Sequence, residues 1–271
     1  MSSITYRDLT TLEEFAAVVQ LERDIWGPSY DDVVPVPILA VSVHSGGILI
    51  GAFDADRMIG FVYSLPAIKD TKPTQWSHMA GVVTEYQGGG IGAQLKLLQR
   101  ERALSAGLEL VQWTYDPLQA MNAHLNFAKL GVVCDEYAVN IYGVSASPLH
   151  GGNPTDRFVA DWWIRTPRVE DRLRGAAPLA PVMTVEPAGR ARAEGKWLNP
   201  AAIDLSLEVR RISVEIPTGF TEMLASAPDL ALEWRLVTRG IFTTYFARGY
   251  RAVEFFLDRP GRKGAYLLVR T

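Results

Sequence analysis

Apolar residues recur at two different spacings along this chain, and the switches between them predict its elements. Ile4 to Arg7 has the alternation of a short strand, and Leu12, Phe15, Ala16, Val19 and Ile25 then fall on one helical face. Trp26-Gly27-Pro28 breaks that helix, and a second short helical piece is expected over Pro37 to His44. Ile48 to Phe53 and Met58 to Tyr63 flank Asp54-Ala55-Asp56-Arg57 and read as a β-hairpin. A strand pattern from His78 to Val83 runs into a glycine-rich turn, then into a helix to Ala106 with Leu95, Leu97, Leu98 and Leu104 on its apolar side. Leu110 to Tyr115 is strand-like. Asp116-Pro117 supplies a carboxylate cap and a first-turn proline for a further helix, which ends at Lys129-Leu130-Gly131. A β pattern over Val132 to Val144 closes the series β-α-α-β-β-β-α-β-α-β. This is an α/β (α+β) chain.

Beyond Val144 the character changes. Ser145 to Pro154 is rich in Ser, Gly, Pro and His, the composition of a linker. Asp161-Trp162-Trp163-Ile164-Arg165 follows, and the adjacent tryptophans call for an apolar surface to cover them. Asp204 to Glu215 alternates like a strand, Leu230 to Phe246 is helical, and Val253 to Leu257 with Ala265 to Val269 form a last hairpin. Three parts are therefore expected. Residues 1–145 form a first domain, 146–180 a linker packing on it, and 181–271 a C-terminal α+β subdomain. Tyr245-Phe246-Ala247-Arg248-Gly249-Tyr250 faintly echoes Asn126-Phe127-Ala128-Lys129-Leu130-Gly131, which hints at a degenerate half-copy of the first domain.

Composition narrows the function classes. At 271 residues, 48% hydrophobic and with net charge -3, the chain can bury a sizeable core. An acidic balance without Lys/Arg runs argues against nonspecific nucleic-acid binding. No apolar run approaches bilayer length and no leader pattern opens the chain, so a cytoplasmic protein is expected. Cys134 is the single cysteine and the four histidines are scattered, so neither a disulfide nor a metal site is expected.

The stretch Val82-Val83-Thr84-Glu85-Tyr86-Gln87-Gly88-Gly89-Gly90-Ile91-Gly92-Ala93 carries the chemistry. Four glycines in five residues let several backbone N–H groups converge, and the helix N-terminus behind them adds partial positive charge, which suits a pyrophosphate. A turn that only joins strand to helix is the plainer reading. Gly88-Gly89-Gly90-Ile91-Gly92-Ala93 also matches a dinucleotide fingerprint, but that motif belongs to a first β-α-β unit, tight against its strand. A triphosphate P-loop is excluded because no Lys-Ser/Thr pair follows. Gln87-x-x-Gly90-x-Gly92 after Val82-Val83 resembles the acyl-CoA signature of the GNAT superfamily of N-acetyltransferases, and the element order over residues 3–145 resembles that family too.

The resemblance implies a GNAT-like mixed central sheet flanked by helices, with an acyl-CoA co-substrate held by Val82, Val83, Gln87, Gly88, Gly89, Gly90, Ile91 and Gly92. It also assigns Asn126 and Phe127 to the pantetheine arm. Phe127 stands where many members carry a tyrosine that protonates the departing thiolate, so that proton needs another source or none. Attack by a neutral amine on a thioester needs a proton acceptor. His78, read by strand alternation as sharing a face with Trp76 and Ala80, is the first candidate, with a hydrogen-bonded structural histidine as the plain reading. Asp116 is the second, with a helix cap as its plain reading. Trp26, Tyr30 and Asp31 at the first helix–helix joint, and Arg157 facing an anionic group, are candidates for acceptor or acyl recognition. The whole chain looks like a long, two-part GNAT subgroup in which amino-acid N-acylation, including from succinyl-CoA, is a proposed role. The expected partner is a small amine, with no nucleic acid and no membrane, and a homodimer is compatible with the sequence. A CoA-binding regulatory protein that has lost turnover is the alternative.

Overall fold

The computed structural model describes residues 3–28, 30, 32–143, 152–176 and 185–270. The chain divides into two compact units, Met1–Trp113 with Trp163–Arg165, and Thr114–Trp162 with Thr166–Thr271.

The first unit is built on a mixed sheet of strand order β1-β2-β3-β4-β5, with β1 Thr5–Asp8, β2 Ile48–Asp54, β3 Arg57–Lys69, β4 Lys72–Val82 and β5 Leu110–Tyr115. Pairing is antiparallel from β1 to β4 and parallel between β4 and β5. Helix α1 (Leu12–Trp26) starts with a capping box in which Glu14 N–H donates to Thr11 Oγ1 and Thr11 N–H to Glu14 Oε2. Helix α2 (Val36–His44) begins with a proline in its first turn. Helix α3 (Ile91–Ser105) follows the glycine turn, behind a 3₁₀ turn at Thr84–Tyr86. The order strand, two helices, three strands, helix, strand is the one the sequence pattern predicts. Trp163–Arg165 return to this unit, where Ile164 N–H donates to Glu109 O at 3.0 Å and Arg100 grips the Ile164 carbonyl at 2.9 and 2.8 Å.

The second unit holds a mixed sheet of order β7-β6-β11-β12-β10-β8-β9. Its strands are β6 Val133–Ala138, β7 Arg157–Trp163, β8 Glu186–Glu194, β9 Trp197–Ala201, β10 Arg211–Pro217, β11 Tyr250–Asp258 and β12 Lys263–Arg270. Its helices are α4 (Ala120–Ala123), α5 (Pro167–Leu173), α6 (Phe220–Ser226) and α7 (Pro228–Ala247). Phe158, Phe242, Tyr266 and Tyr245 are fully buried, with Phe158 and Phe242 edge-on at 4.6 Å.

Four local expectations give way here. Asp116 starts a turn rather than a helix: its carboxylate accepts from Leu118 N–H at 2.9 Å, and α4 begins only at Ala120. From His124 to Leu130 the helix widens to π geometry and ends at Gly131, whose φ is 75°. The strand read over Asp204 to Glu215 begins only at Arg211, because Asp204 folds back to accept from Ser206 N–H at 2.7 Å. The linker composition hides β7 and α5. In β7, Trp162 is fully buried and donates from Nε1 to Leu130 O at 2.8 Å, while Trp163 stays 37% exposed.

Candidate active site

Two features of β4 shape the site in the first unit. The parallel pairing with β5 runs through Gln75↔Val111 and Trp76↔Gln112, after which β4 continues from Ser77 to Val82 beyond the last paired position. The two strands therefore fork. At the same point the β3 register jumps from Ser64↔Ser77 to Tyr63↔Met79, so His78 is the extra residue of a β-bulge. Opposed residues share a face. Trp76 and Met79 thus lie on the face of Tyr63, while Ser77 and Ala80 lie on the opposite one. This corrects the alternation argument, which put Trp76, His78 and Ala80 together: the bulge consumes one residue and moves Ala80 across the sheet.

His78 is exposed between buried Ser77 and Met79. Its ring stands edge-on to Tyr63 at 6.0 Å, and desolvation lowers its pKa from the ordinary histidine value. It is therefore a neutral imidazole at pH 7, able to accept a proton. Tyr63 donates its hydroxyl to Ser42 Oγ at 2.5 Å. On the same face, Gly81 lets α1 come close, since a Cβ there would sit 2.8 Å from Ile25 Cδ1 and 3.1 Å from Trp26. Trp26 stacks at a tilt on Tyr30 at 5.6 Å and edge-on to Phe61 at 6.0 Å. Asp31 lies outside the described residues.

The glycine turn keeps its backbone open. Gly88 and Gly90 adopt φ of 80° and 83°, where a side chain is strained, and a Cβ at either would meet nothing within 4 Å. Gly90 is the N-cap of α3 without a side-chain cap, so the first N–H groups of the helix keep their donors. Gln87 closes the turn by donating from Nε2 to Val82 O at 3.0 Å, and Val83 and Ile91 are buried beneath it. The turn therefore presents an uncapped helix N-terminus, with its partial positive charge, behind glycines whose missing Cβ atoms leave the backbone open.

Beneath the fork lies a group that sequence reading missed. Lys96 of α3 is buried, and its Nζ donates to Ser77 Oγ at 2.7 Å and to Gln99 Oε1 at 3.2 Å, while lying 3.9 Å from the ring centre of Trp113. Gln99 Nε2 also donates to Ser77 Oγ, at 3.0 Å. Burial lowers the Lys96 pKa to about 7. A second buried charge sits on α1: Glu22 is fully buried, its Oε2 accepts from Val34 N–H at 2.8 Å, and its Oε1 has no partner. Desolvation raises its pKa to about 7. A polar residue on an otherwise apolar helical face was the one available signal for both.

In the second unit, Asp116 is gripped bidentately by Arg235 at 2.8 and 2.6 Å. Phe127 is fully buried and packs edge-on against Tyr266 at 5.6 Å. Asn126 is buried and its carbonyl accepts from Val132 N–H at 3.0 Å. Arg157 lies over the Tyr142 ring at 5.6 Å and donates to Asp156 O at 3.1 Å. Among the described residues no group of three or more His, Cys, Asp or Glu could hold a metal ion, and no helix is long and apolar enough to cross a membrane.

No family model matches the chain, and no curated protein matches it. Solved structures do. The chain is similar to the ribosomal-protein-S18-alanine N-acetyltransferase of Escherichia coli at 15% identity and a TM-score of 0.49, over 60% of this chain and 96% of that one. It is similar to a putative acetyltransferase of Salmonella typhimurium with its cofactor acetyl-CoA, at 15% identity and a TM-score of 0.49, over 60% and 95%. An N-acetyltransferase of Thermoplasma acidophilum in complex with coenzyme A is similar at 16% identity and a TM-score of 0.42, over 59% and 98%. In the first unit the order of elements, the end of the β4–β5 pairing at Trp76↔Gln112 and the glycine turn ahead of an uncapped helix agree with what the sequence resemblance implies.

Proposed function

We propose that this protein is an acyl-CoA-dependent N-acyltransferase acting on the amine of a small molecule, with an amino acid as the acceptor class and acetyl or succinyl as the acyl group. The observation that carries the reading is the glycine turn: a strand that forks from its neighbour leads into a cradle of open backbone donors at the mouth of α3. Gln87, Gly88, Gly89, Gly90, Ile91 and Gly92 would hold the pyrophosphate of acyl-CoA, and Val82 and Val83 its pantetheine arm. Acyl-CoA supplies the activated acyl group.

In this reading His78 takes the proton from the attacking amine. It is exposed, neutral at pH 7 and set at a bulge, which turns it out of the regular ladder. Backbone N–H groups of β4 beyond the fork have no β5 partner in the register and supply donors for a developing oxyanion. Asp116 is less suited to the base role, because Arg235 engages both its oxygens and Leu118 N–H one of them. Trp26 and Tyr30 provide an aromatic rim for the acceptor.

One observation favours a second reading. The place of the usual tyrosine acid holds Phe127, fully buried and without a proton to give. That would fit a CoA-binding regulatory protein without turnover. Thiol release from acetyl-CoA and succinyl-CoA against a panel of amino acids separates the two. Release with at least one acceptor is expected; tight CoA binding with no release from any acceptor would favour regulation.

A further inference from the structure

The fork of β4 and β5 is propped by a charge. The last parallel pair is Trp76↔Gln112, so Ser77 and Trp113 are the first residues past it. Lys96 Nζ sits between those two, donating to the hydroxyl of one and lying on the ring of the other. With Lys96 charged, Ser77 Oγ accepts from both Lys96 and Gln99, which fills its two lone pairs. Its own O–H is then, beside the third Lys96 N–H and the second Gln99 N–H, a donor left over in the network, and among the described residues it has no acceptor. A buried hydroxyl whose proton has nowhere to go inside the protein points to a ligand atom.

We propose that Ser77 donates this proton to the sulfur leaving the thioester, and that Lys96 acts through Ser77 as the proton reservoir. The inference rests on the acyl-transfer reading and supplies the acid that Phe127 cannot. As the amine nitrogen bonds to the acyl carbon and the carbon–sulfur bond breaks, the sulfur takes the Ser77 hydroxyl proton. Lys96 passes one of its own to Ser77 Oγ, and the amine proton goes to His78. The products are amide, free thiol, protonated His78 and neutral Lys96; His78 returns its proton to solvent and Lys96 is recharged from it. The direction is favourable: Lys96 titrates at about 7, below the ~8.5 of an ordinary thiol.

Burial alone sets that titration. The register places Ile48, Ile50, Ala52, Val62 and Ser64 on the α3 face of β2 and β3, and none of these side chains ionises in this range. From β4, β5 and its own helix Lys96 meets Ser77, Trp113 and Gln99. No carboxylate pairs with it among the described residues.

The test compares wild type, Lys96→Met and Ser77→Ala with two acyl donors, acetyl-CoA and an acetyl thioester of a far more acidic thiol. With acetyl-CoA both variants should lose roughly 10²-fold in kcat at little change in KM, the size expected of a missing general acid. With the acidic thiol, whose anion leaves unaided, the loss should shrink to a few-fold. Equal losses with both donors would make the network merely structural. A readout without turnover accompanies this one. The unfolded chain keeps the Lys96 proton to ~10.4 while the folded one releases it at about 7, so this residue makes stability rise with pH across that window. Lys96→Met should lack that rise, and superimposable pH–stability curves would overturn the proposal. Wild-type protein that binds acyl-CoA yet releases no thiol overturns the parent reading and this one with it. Full-rate Lys96→Met overturns this one alone.

Discussion

Both units bury charge, but they do so in opposite ways. In the second unit both fully buried carboxylates among the described residues are met by a guanidinium: Asp156 by Arg239 at 2.8 Å, and Glu254 by Arg172. Nearly buried Asp116 is held by Arg235 at 2.6 Å. In the first unit Glu22 and Lys96 are buried with no ion-pair partner among the described residues, and both are driven toward neutrality near pH 7. Paired burial holds architecture, because the desolvation of each ion is offset by its partner. Unpaired burial leaves a group whose proton moves at physiological pH, as a site for proton transfer requires.

The sharpest way to break this contrast is to unpair a pair. Arg235→Met leaves Asp116 without its guanidinium and should destabilise the protein by about 3–5 kcal/mol. Denaturant unfolding measures it, and adding Asp116→Leu should recover much of the loss. A small effect of Arg235→Met would mean that the second unit does not depend on its pairs.

On the first unit the test is catalytic. His78→Ala should lower turnover at neutral pH by ~10²–10⁴-fold, shrinking as pH rises and free amine becomes abundant. Because partial desolvation of the ring lowers the His78 pKa, wild-type activity should persist to below pH 6.5 before its acid limb appears. A deficit independent of pH would make His78 structural and shift attention to a water chain as the route for the amine proton.

Gly92→Val probes the cradle with little risk to the fold. The nearest atom to a new Cβ is 3.9 Å away and the φ at Gly92 is ordinary, whereas Gly90 needs its φ of 83°. The apparent KM for acyl-CoA should rise about 10-fold, one lost contact's worth of binding at ~1.4 kcal/mol. Unchanged acyl-CoA affinity in folded Gly92→Val would remove the cofactor assignment.

The smallest effect is expected at Glu22→Gln. The Glu22 pKa is raised from 4.5 to about 7, so its stabilising contribution is complete below pH 4.5 and is lost as pH rises through 7. The glutamine oxygen keeps the Val34 N–H bond, so the variant should differ mainly in a flatter pH–stability curve. An identical curve would show that Glu22 does not titrate in this window.

Much of the first unit was legible in the chain. The strand of Leu110 to Tyr115, the helix over Pro37 to His44 and the hairpin around Asp54 each appear within a residue or two of their expected limits, except that β3 extends to Lys69. These elements announce themselves by periodicity, which is a local property. Strands β8 and β9 went unseen because alternating Ala and Arg over 190–193 carries almost no hydrophobic contrast. The glycine turn was legible because backbone freedom is written in residue type. The Ser77–Lys96–Gln99 network was not, since nothing in an isolated lysine tells which atoms will surround it.

The sequence by itself determined the α/β order, the glycine cradle and the absence of a tyrosine at position 127, because spacing and side-chain identity are enough for each. Tertiary structure decided which face each β4 residue presents. A bulge of one residue cannot be read from alternation, yet it moves Ala80 away from Trp76 and sets His78 out of the ladder. Tertiary structure also decided which charges are paired. Asp116 and Arg235 are 119 residues apart in sequence and become one ion pair, while Lys96 is closed in beside a hydroxyl and an indole. Pairing and desolvation depend on what the rest of the chain brings within a few ångströms, and that information exists only once the chain has folded.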